Sequence, residues 1–128
     1  MVSSFASARS AVDAAIVAQR HLELPVRMGI CTGEVEARDG DYFGAAVNRA
    51  ARTMAAAHGG QVLVAAATAA IVEGIEFVDL GEHRLRDLSQ QRLYQLRAEG
   101  LRETFPPVQT LNQTPDGPAK AAIAALAA

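Results

Sequence analysis

Proline and glycine residues divide this chain into short segments, most of which show a single clear pattern. Pro25 is one strong interruption, because its ring disfavours helix in the residue before it. The Gly59-Gly60 pair is another, since glycine takes the left-handed conformation that closes a helix. Apolar residues recur at helical spacing from Ser7 to about Leu22, and again from about Gly44 to Ala57. We predict two helices here, with Ser7 capping the first.

Shorter apolar segments between and after these helices predict strands. Val26 to Thr32 alternates large apolar residues with others, which is typical of a strand. Gly33 and the Arg38-Asp39-Gly40 turn predict a hairpin in which Glu34 to Ala37 is the return strand. The remaining predicted elements are a strand over 61–64, a short helix over 66–72, and strands over 76–80, 83–86 and 92–96. This order predicts an α+β domain with a mainly antiparallel sheet.

The composition changes after Arg97, which sets the predicted domain boundary. Phe105-Pro106-Pro107 and further prolines interrupt any regular element beyond that point. We predict one folded domain over 1–97 and a Pro- and Ala-rich linker or disordered tail over 98–128. The last ten residues could form a brief helix, but an alanine-rich helix of that length is marginal in water.

Charge and composition exclude several classes of function. The net charge is −2, so the chain lacks the excess of Lys and Arg that binding to nucleic acid usually requires. No apolar run reaches the roughly 18 residues that a membrane span needs. The single cysteine, Cys31, excludes an internal disulfide, and the three histidines have no metal-ligand spacing. We therefore expect a cytoplasmic protein with neither a nucleic-acid nor a membrane partner.

Asn48 and Arg52 are the first residues that suggest chemistry. They stand four positions apart, so they share one face of the second predicted helix, in its first two turns. An amide and a guanidinium near a helix N-terminus suit a phosphate or a sugar hydroxyl. From spacing alone, however, solvated residues of a helix surface are the favoured interpretation.

Five blocks of the sequence form a recognisable series. They are Val26-Arg27-Met28-Gly29-Ile30-Cys31-Thr32-Gly33-Glu34, Gly40-Asp41-Tyr42-Phe43-Gly44, Val47-Asn48-Arg49-Ala50-Ala51-Arg52, His58-Gly59-Gly60-Gln61-Val62-Leu63-Val64 and Asp79-Leu80-Gly81-Glu82-His83-Arg84-Leu85-Arg86-Asp87-Leu88. Together they resemble the class III adenylate/guanylate cyclase domain, in the family's order and spacing, over roughly residues 5 to 97. The resemblance implies a ferredoxin-like sheet with helices on one face. It also implies a nucleotide site between two such domains, in a homodimer or in a pair with another cyclase domain.

The resemblance further implies a reaction and a role for four residues. In the family, ATP is converted to cAMP and pyrophosphate with two divalent metals, Mg²⁺ or Mn²⁺, held by two aspartates. Asp41 matches the base-specifying position, where an acidic acceptor suits the exocyclic amine of adenine; its alternative is a turn residue after Gly40. Asn48 matches the residue that orients the ribose, and Arg52 the arginine that stabilises charge on the phosphate. Arg86 stands where the family usually has a lysine that binds the triphosphate.

One part of the family pattern is missing from this sequence. The family domain begins with Phe-x-Asp-x-x-Gly-Ser-Thr and later carries Gly-Asp-Gly, and neither motif occurs here. The early carboxylates, Asp13 and Glu23, lie in no metal-binding context. We therefore expect an N-terminally truncated domain without metal ligands, inactive alone, which supplies its residues to a metal-competent partner. One alternative is a non-catalytic interaction or regulatory remnant, and another is a start codon assigned too late.

Overall fold

The computed structural model describes residues 2–5, 7–22, 25–33, 36–38, 41–86, 88–109 and 120–126. In chain order the elements are β1 (Val2–Phe5), α1 (Ala8–His21), β2 (Arg27–Gly33), β3 (Glu36–Arg38), β4 (Asp41–Phe43), α2 (Ala45–Ala56), β5 (Val62–Ala65), α3 (Ala66–Ile71), β6 (Glu76–Arg84), β7 (Gln90–Arg97) and β8 (Lys120–Leu126). Within these residues no helix is long and apolar enough to cross a membrane. The predicted helices are confirmed, and the Ser7 hydroxyl caps α1 by accepting from the Ser10 N–H at 3.1 Å.

Six strands form one mixed sheet in the order β1-β8-β2-β5-β7-β6. β2 runs parallel to both β5 and β8, and β1 runs parallel to β8, whereas β7 is antiparallel to β5 and β6. The α+β class agrees with the prediction, but the sheet is not mainly antiparallel. The reason is that α2 lies in the connection from β2 to β5 and returns the chain to the same end of the sheet, which makes the two strands parallel.

Helices cover both faces of this sheet, whereas the resemblance implied one face. Val12 of α1 belongs to a core cluster with Met28 and Val64 from the centre of the sheet. Cys31, which points to the opposite face of β2, packs with Ala50 of α2 instead. Because successive residues of a strand alternate between faces, a run that is buried throughout, such as Arg27–Cys31, needs cover on both sides.

α2 crosses β2 at very short range, and Gly29 makes this possible. A Cβ atom added at Gly29 would stand only 2.6 Å from the carbonyl oxygen of Ala50. Any side chain at this position would therefore collide with the helix backbone. The contact sets the distance of α2 from the centre of the sheet.

The hairpin after β2 differs from the predicted one. β3 pairs with β4 in a separate two-stranded sheet, in which Arg38 lies opposite Asp41. Of the predicted return strand, Glu34 to Ala37, residues 34 and 35 lie outside the described residues, and Glu36 and Ala37 pair with β4, the segment that follows them. Only positions 39 and 40, an Asp-Gly pair, separate β3 from β4. A two-residue connection of this type joins the residues on either side of it, so the hairpin is local.

The two strands predicted over 76–80 and 83–86 are one strand, β6, with an irregularity between Asp79 and Glu82. Gly81 takes the left-handed conformation there, with φ of 83°. Its N–H donates to the Asp79 carboxylate at 2.8 Å. Gly81 therefore marks a bulge, which lets the strand continue.

The segment after β7 also differs from expectation. Residues 98–109 contain no helix or strand, yet Val108 and Gln109 are buried. Lys120–Leu126 forms β8 between β1 and β2, rather than a helix or a disordered tail. A strand at this position pairs its backbone N–H and C=O groups with neighbouring strands on both sides. An isolated alanine-rich helix of this length is less stable, because so short a helix is marginal in water. The domain boundary at residue 97 stays a prediction.

Candidate functional site

Asn48 and Arg52 lie on one face of α2, as their spacing predicted. α2 begins after Gly44, whose φ of 134° is open to glycine alone among common residues, and no side chain caps the helix. The Asn48 N–H donates to the Gly44 carbonyl at 3.2 Å, which places Asn48 in the first turn. Asn48 is exposed and Arg52 is half-buried. An amide in the first turn of α2 and a guanidinium one turn later are thus presented on the same face of the helix.

Asp41 lies on the strand that directly precedes α2. It is the first residue of β4, directly after the two-residue hairpin connection, and it pairs in register with Arg38. Gly44 follows β4 at once and starts α2. The short connection therefore brings the position of Asp41 close to the N-terminus of the helix that carries Asn48.

Arg86 lies at the same end of the sheet but further along its edge. It is exposed in the turn between β6 and β7. Because β7 is antiparallel to β5, with Leu93 opposite Ala65, this turn lies at the carboxyl end of β2 and β5. Two to three strand spacings, about 10–14 Å, separate it from β2. The structure therefore places Arg86 at the end of the sheet where β2 ends, but two to three strands away from β2.

Arg49 adds a positive charge near the carboxyl end of β2. Its guanidinium is half-buried, and Nη2 lies 3.4 Å from the carbonyl oxygen of Thr32 near the end of β2. The same nitrogen would stand 3.0 Å from a Cβ atom at Gly33. Arg49 thus lies between α2 and the carboxyl end of β2, and it contributes positive potential at this end of the sheet.

Cys31 lies beneath α2 and provides no nucleophile. Its side chain is buried, and its sulfur lies 3.6 Å from the Thr53 hydroxyl. Burial raises the pKa of the Cys31 thiol, an effect that the Thr53 hydrogen bond and the charge of Arg49 only partly oppose. The thiol therefore stays neutral at physiological pH, and Cys31 acts as a small residue of the core.

The described residues do not fit a divalent metal. Among them, no group of three or more His, Cys, Asp or Glu side chains comes together. Asp13 instead forms an exposed ion pair with Arg9 on α1, at 3.1 Å. His58 and His83 each hydrogen-bond a backbone carbonyl, of Pro107 and Leu80 respectively. Metal ligands for a cyclase reaction would have to come from outside this set.

Two buried glutamines near this helix had no signal in the sequence pattern. The Gln61 amide donates to the Gln95 side-chain oxygen at 2.8 Å, and the Gln95 amide donates to the Glu103 carbonyl at 2.8 Å. The Gln61 oxygen accepts from the His58 N–H at 2.9 Å. These bonds connect the end of α2 to β5, β7 and the segment after β7. Such pairs join residues far apart in the chain, so no local pattern predicts them.

The chain resembles known proteins over most of its length. It matches the family model described as the Adenylate and Guanylate cyclase catalytic domain over residues 2–98. The uncharacterized protein Rv0891c of Mycobacterium tuberculosis is 41% identical over 122 residues, which cover 89% of this chain and 43% of that protein. The uncharacterized protein Rv2212 of the same species is 57% identical over 47 residues, which cover 37% of this chain and 12% of that protein.

A solved structure shares the fold. An adenylate cyclase from Trypanosoma brucei, determined in its monomeric state, matches with a TM-score of 0.58 and 27% identity, over 81% of this chain and 49% of that chain. The chain spans less than half the length of each of these relatives. The predicted class III cyclase fold is confirmed by these similarities. The chain belongs to the adenylate and guanylate cyclase catalytic domain family.

Proposed function

We propose that this chain forms one side of a nucleotidyl cyclase site and takes ATP as its nucleotide. One observation carries the proposal: Asn48 in the first turn of α2 and Arg52 one turn later share a face of the helix that follows the strand beginning with Asp41. In a member of the cyclase family, this is the arrangement expected for residues that meet the base, the ribose and the phosphates. Arg49 adds positive charge next to them.

Each residue has a distinct role in the proposed reaction. The Asp41 carboxylate accepts from the exocyclic amine of adenine, and the Asn48 amide orients the ribose. The 3′-oxygen of ATP then bonds to the α-phosphorus, the bond to the pyrophosphate leaving group breaks, and the hydroxyl proton passes to solvent. Arg52 stabilises the negative charge that develops on the phosphate, and Arg86 neutralises the triphosphate. The products are cAMP and pyrophosphate.

The proposed site is completed by a second domain, either another copy or a different cyclase domain. The described residues do not fit the Mg²⁺ or Mn²⁺ that the family uses, so we assign no step of the reaction to a metal held by them. A partner that carries metal-binding carboxylates would supply that chemistry. The chain would then contribute nucleotide contacts, and product would form only in the pair.

ATP binding tests the first half of this proposal. We expect ATP to bind the full chain, as measured by calorimetry, and Arg52→Ala to weaken the affinity about tenfold or more, because a charge-assisted contact is lost. Arg9→Ala is the matched control, since Arg9 is paired on the surface of α1, on the other face of the sheet. GTP should bind more weakly than ATP, and Asp41→Asn should reduce that preference.

Mixing tests the second half. The chain combined with a metal-competent cyclase domain, in which the residues matching Asn48 and Arg52 are disabled, should make cAMP, and Arg52→Ala should abolish the product. If ATP does not bind and no mixture is active, the nucleotide role is wrong. Pairing without nucleotide binding would instead support a non-catalytic interaction domain.

A further inference from the structure

Glu103–Gln109, here called the strap, leads from the end of β7 to the C-terminus of α2. The Gln109 N–H donates to the Ala56 carbonyl at 2.8 Å, and the Gln109 side-chain amide donates to the Ala57 carbonyl at 3.0 Å. His58 Nε2 donates to the Pro107 carbonyl at 2.8 Å. Because the last carbonyls of a helix have no partner within the helix, the strap completes the end of α2.

The strap is also held at its beginning. The buried Gln95 amide donates to the Glu103 carbonyl, and Gln95 in turn accepts from Gln61. Val108 is buried in the core cluster that includes Ala56 and Ala57. Both ends of the strap are therefore fixed by residues of the domain, although it has no helix or strand of its own.

The middle of the strap lies at the surface. Four of its seven residues are exposed. Two clefts of about 280 and 380 Å³, open to solvent, border it, and both are lined by Leu80, Gln95 and Phe105. Apart from the buried Val108, the strap is therefore held mainly by its hydrogen bonds to the domain.

We propose that Gln109 is a positioning residue for the nucleotide site on α2. Arg52 lies one helical turn before Ala56, whose carbonyl Gln109 holds. With the strap docked, the turn that carries Arg52 is fixed; with the strap released, the end of α2 frays and that turn loosens. The identity of the ligand rests on the proposed function above, whereas the effect of the strap on α2 does not.

Hydrogen exchange of the full chain tests the effect on α2 without any nucleotide. Gln109→Met keeps the shape of the side chain, removes its donor to the Ala57 carbonyl and leaves the backbone bond to the Ala56 carbonyl in place. We expect the α2 amides from Arg52 to Ala56 to exchange about fivefold faster, the change that follows from losing one hydrogen bond. His58→Phe removes a different anchor and should act on the same amides. Gln90→Met, at an exposed position on β7, is the control and should leave them unchanged.

Unchanged exchange from Arg52 to Met54 in both variants overturns the proposal, even if Ala55 and Ala56 fray. ATP affinity provides the second readout. ATP binding that depends on the docked strap should slow exchange of the Val108 and Gln109 amides by a measurable factor. Because coupling between sites is reciprocal, Gln109→Met must then weaken ATP binding, by at most that factor. Equal ATP affinity of wild type and variant overturns the positioning role and leaves the proposed function intact. No ATP binding by either overturns the proposed function and the assignment of Gln109 to a nucleotide site, while exchange still decides whether the strap holds α2.

Discussion

Gln61 and Gln95 form a direct amide-to-amide hydrogen bond of 2.8 Å in the interior of the domain, where they are only 2% and 5% exposed. Gln61 lies at the start of β5 and Gln95 lies near the end of β7, so the bond joins two neighbouring strands at the same end of the sheet. Gln95 also donates to the Glu103 carbonyl. A polar pair at this depth is stable only while its partners remain in place.

Removing one glutamine should therefore cost more than removing one hydrogen bond. Gln95→Leu leaves the Gln61 amide and the Glu103 carbonyl without their buried partner, and we expect a loss of about 1–3 kcal/mol in the free energy of unfolding. The double variant with Gln61→Leu should lose less than the sum of the two single variants, because it removes both sides of the pair. Urea unfolding measures all three proteins. Strict additivity would show that the two amides act independently.

Gly29→Ala should disrupt the packing of α2 on β2. The added Cβ would stand 2.6 Å from the Ala50 carbonyl, a backbone atom that cannot move without displacing the helix. We expect a loss of at least about 1–3 kcal/mol, the usual cost of overpacking. Gly59→Ala is the matched comparison, because its added Cβ would stand 3.3 Å from its nearest neighbour, the Pro25 carbonyl oxygen. Thermal unfolding should show a clearly smaller change for Gly59→Ala, and equal losses would contradict the role of Gly29.

The register of β8 can be tested with the native cysteine. The Cα atom of Ala124 lies directly opposite that of Cys31, a spacing between neighbouring strands that a disulfide can bridge. Ala124→Cys should therefore form an intramolecular disulfide under oxidising conditions, seen as a monomer with shifted mobility on a non-reducing gel. The reaction should be slow near neutral pH, because burial raises the pKa of the Cys31 thiol and the thiolate is the reactive form.

Ala125→Cys is the control for this experiment, because it lies opposite Thr32. It should form no intramolecular disulfide with Cys31. A disulfide in both variants, or in neither, would show that β8 does not hold this register. A disulfide-linked dimer from Ala124→Cys would show that β8 is exchanged between two copies.

Asp79 should make the stability of the domain depend on pH in the acid range. The hydrogen bond from Arg92, helped by the Gly81 N–H, holds the pKa of the Asp79 carboxyl below its ordinary value. A carboxyl group with a lowered folded-state pKa stabilises the fold above its unfolded value, near 3.9. This contribution is lost as the pH falls through the folded-state pKa.

Urea midpoints at pH values from neutral to strongly acidic check this expectation. The midpoint of the wild type should exceed that of Asp79→Asn at neutral pH, and the difference should vanish in strong acid. Arg92→Ala should remove most of the same difference, because it removes the main cause of the shift in pKa. A difference between wild type and Asp79→Asn that does not change with pH would assign the effect to packing.

The helices, and α2 in particular, could be predicted from the sequence. The Ser7 cap, the helical spacing up to Leu22 and the glycine stop at Gly59-Gly60 are local signals, and the elements begin and end close to them. Asn48 and Arg52 share a face because a helix has 3.6 residues per turn. The family blocks were equally visible, since they are runs of neighbouring residues.

Other features could not be read from local patterns. The sequence pattern predicts a return strand over 34–37 and no strand over 41–43, whereas β3 pairs with β4, because either side of the Asp-Gly pair could supply a strand. β6 was divided in two because a glycine in a bulge resembles a glycine in a turn. Arg27 on β2 is buried, although arginine as a residue type predicts a surface position.

By itself, the sequence determined the class of the domain, its helices and the residues on one face of α2, because these depend on periodicity and on residues within a turn of each other. Only the tertiary structure decided the parallel pairing of β2 with β5 and β8, the covering of both sheet faces and the docking of Gln109 on the end of α2. Those features join segments that are tens of residues apart. Their free energy comes from burial and from hydrogen bonds that exist only once the chain has folded.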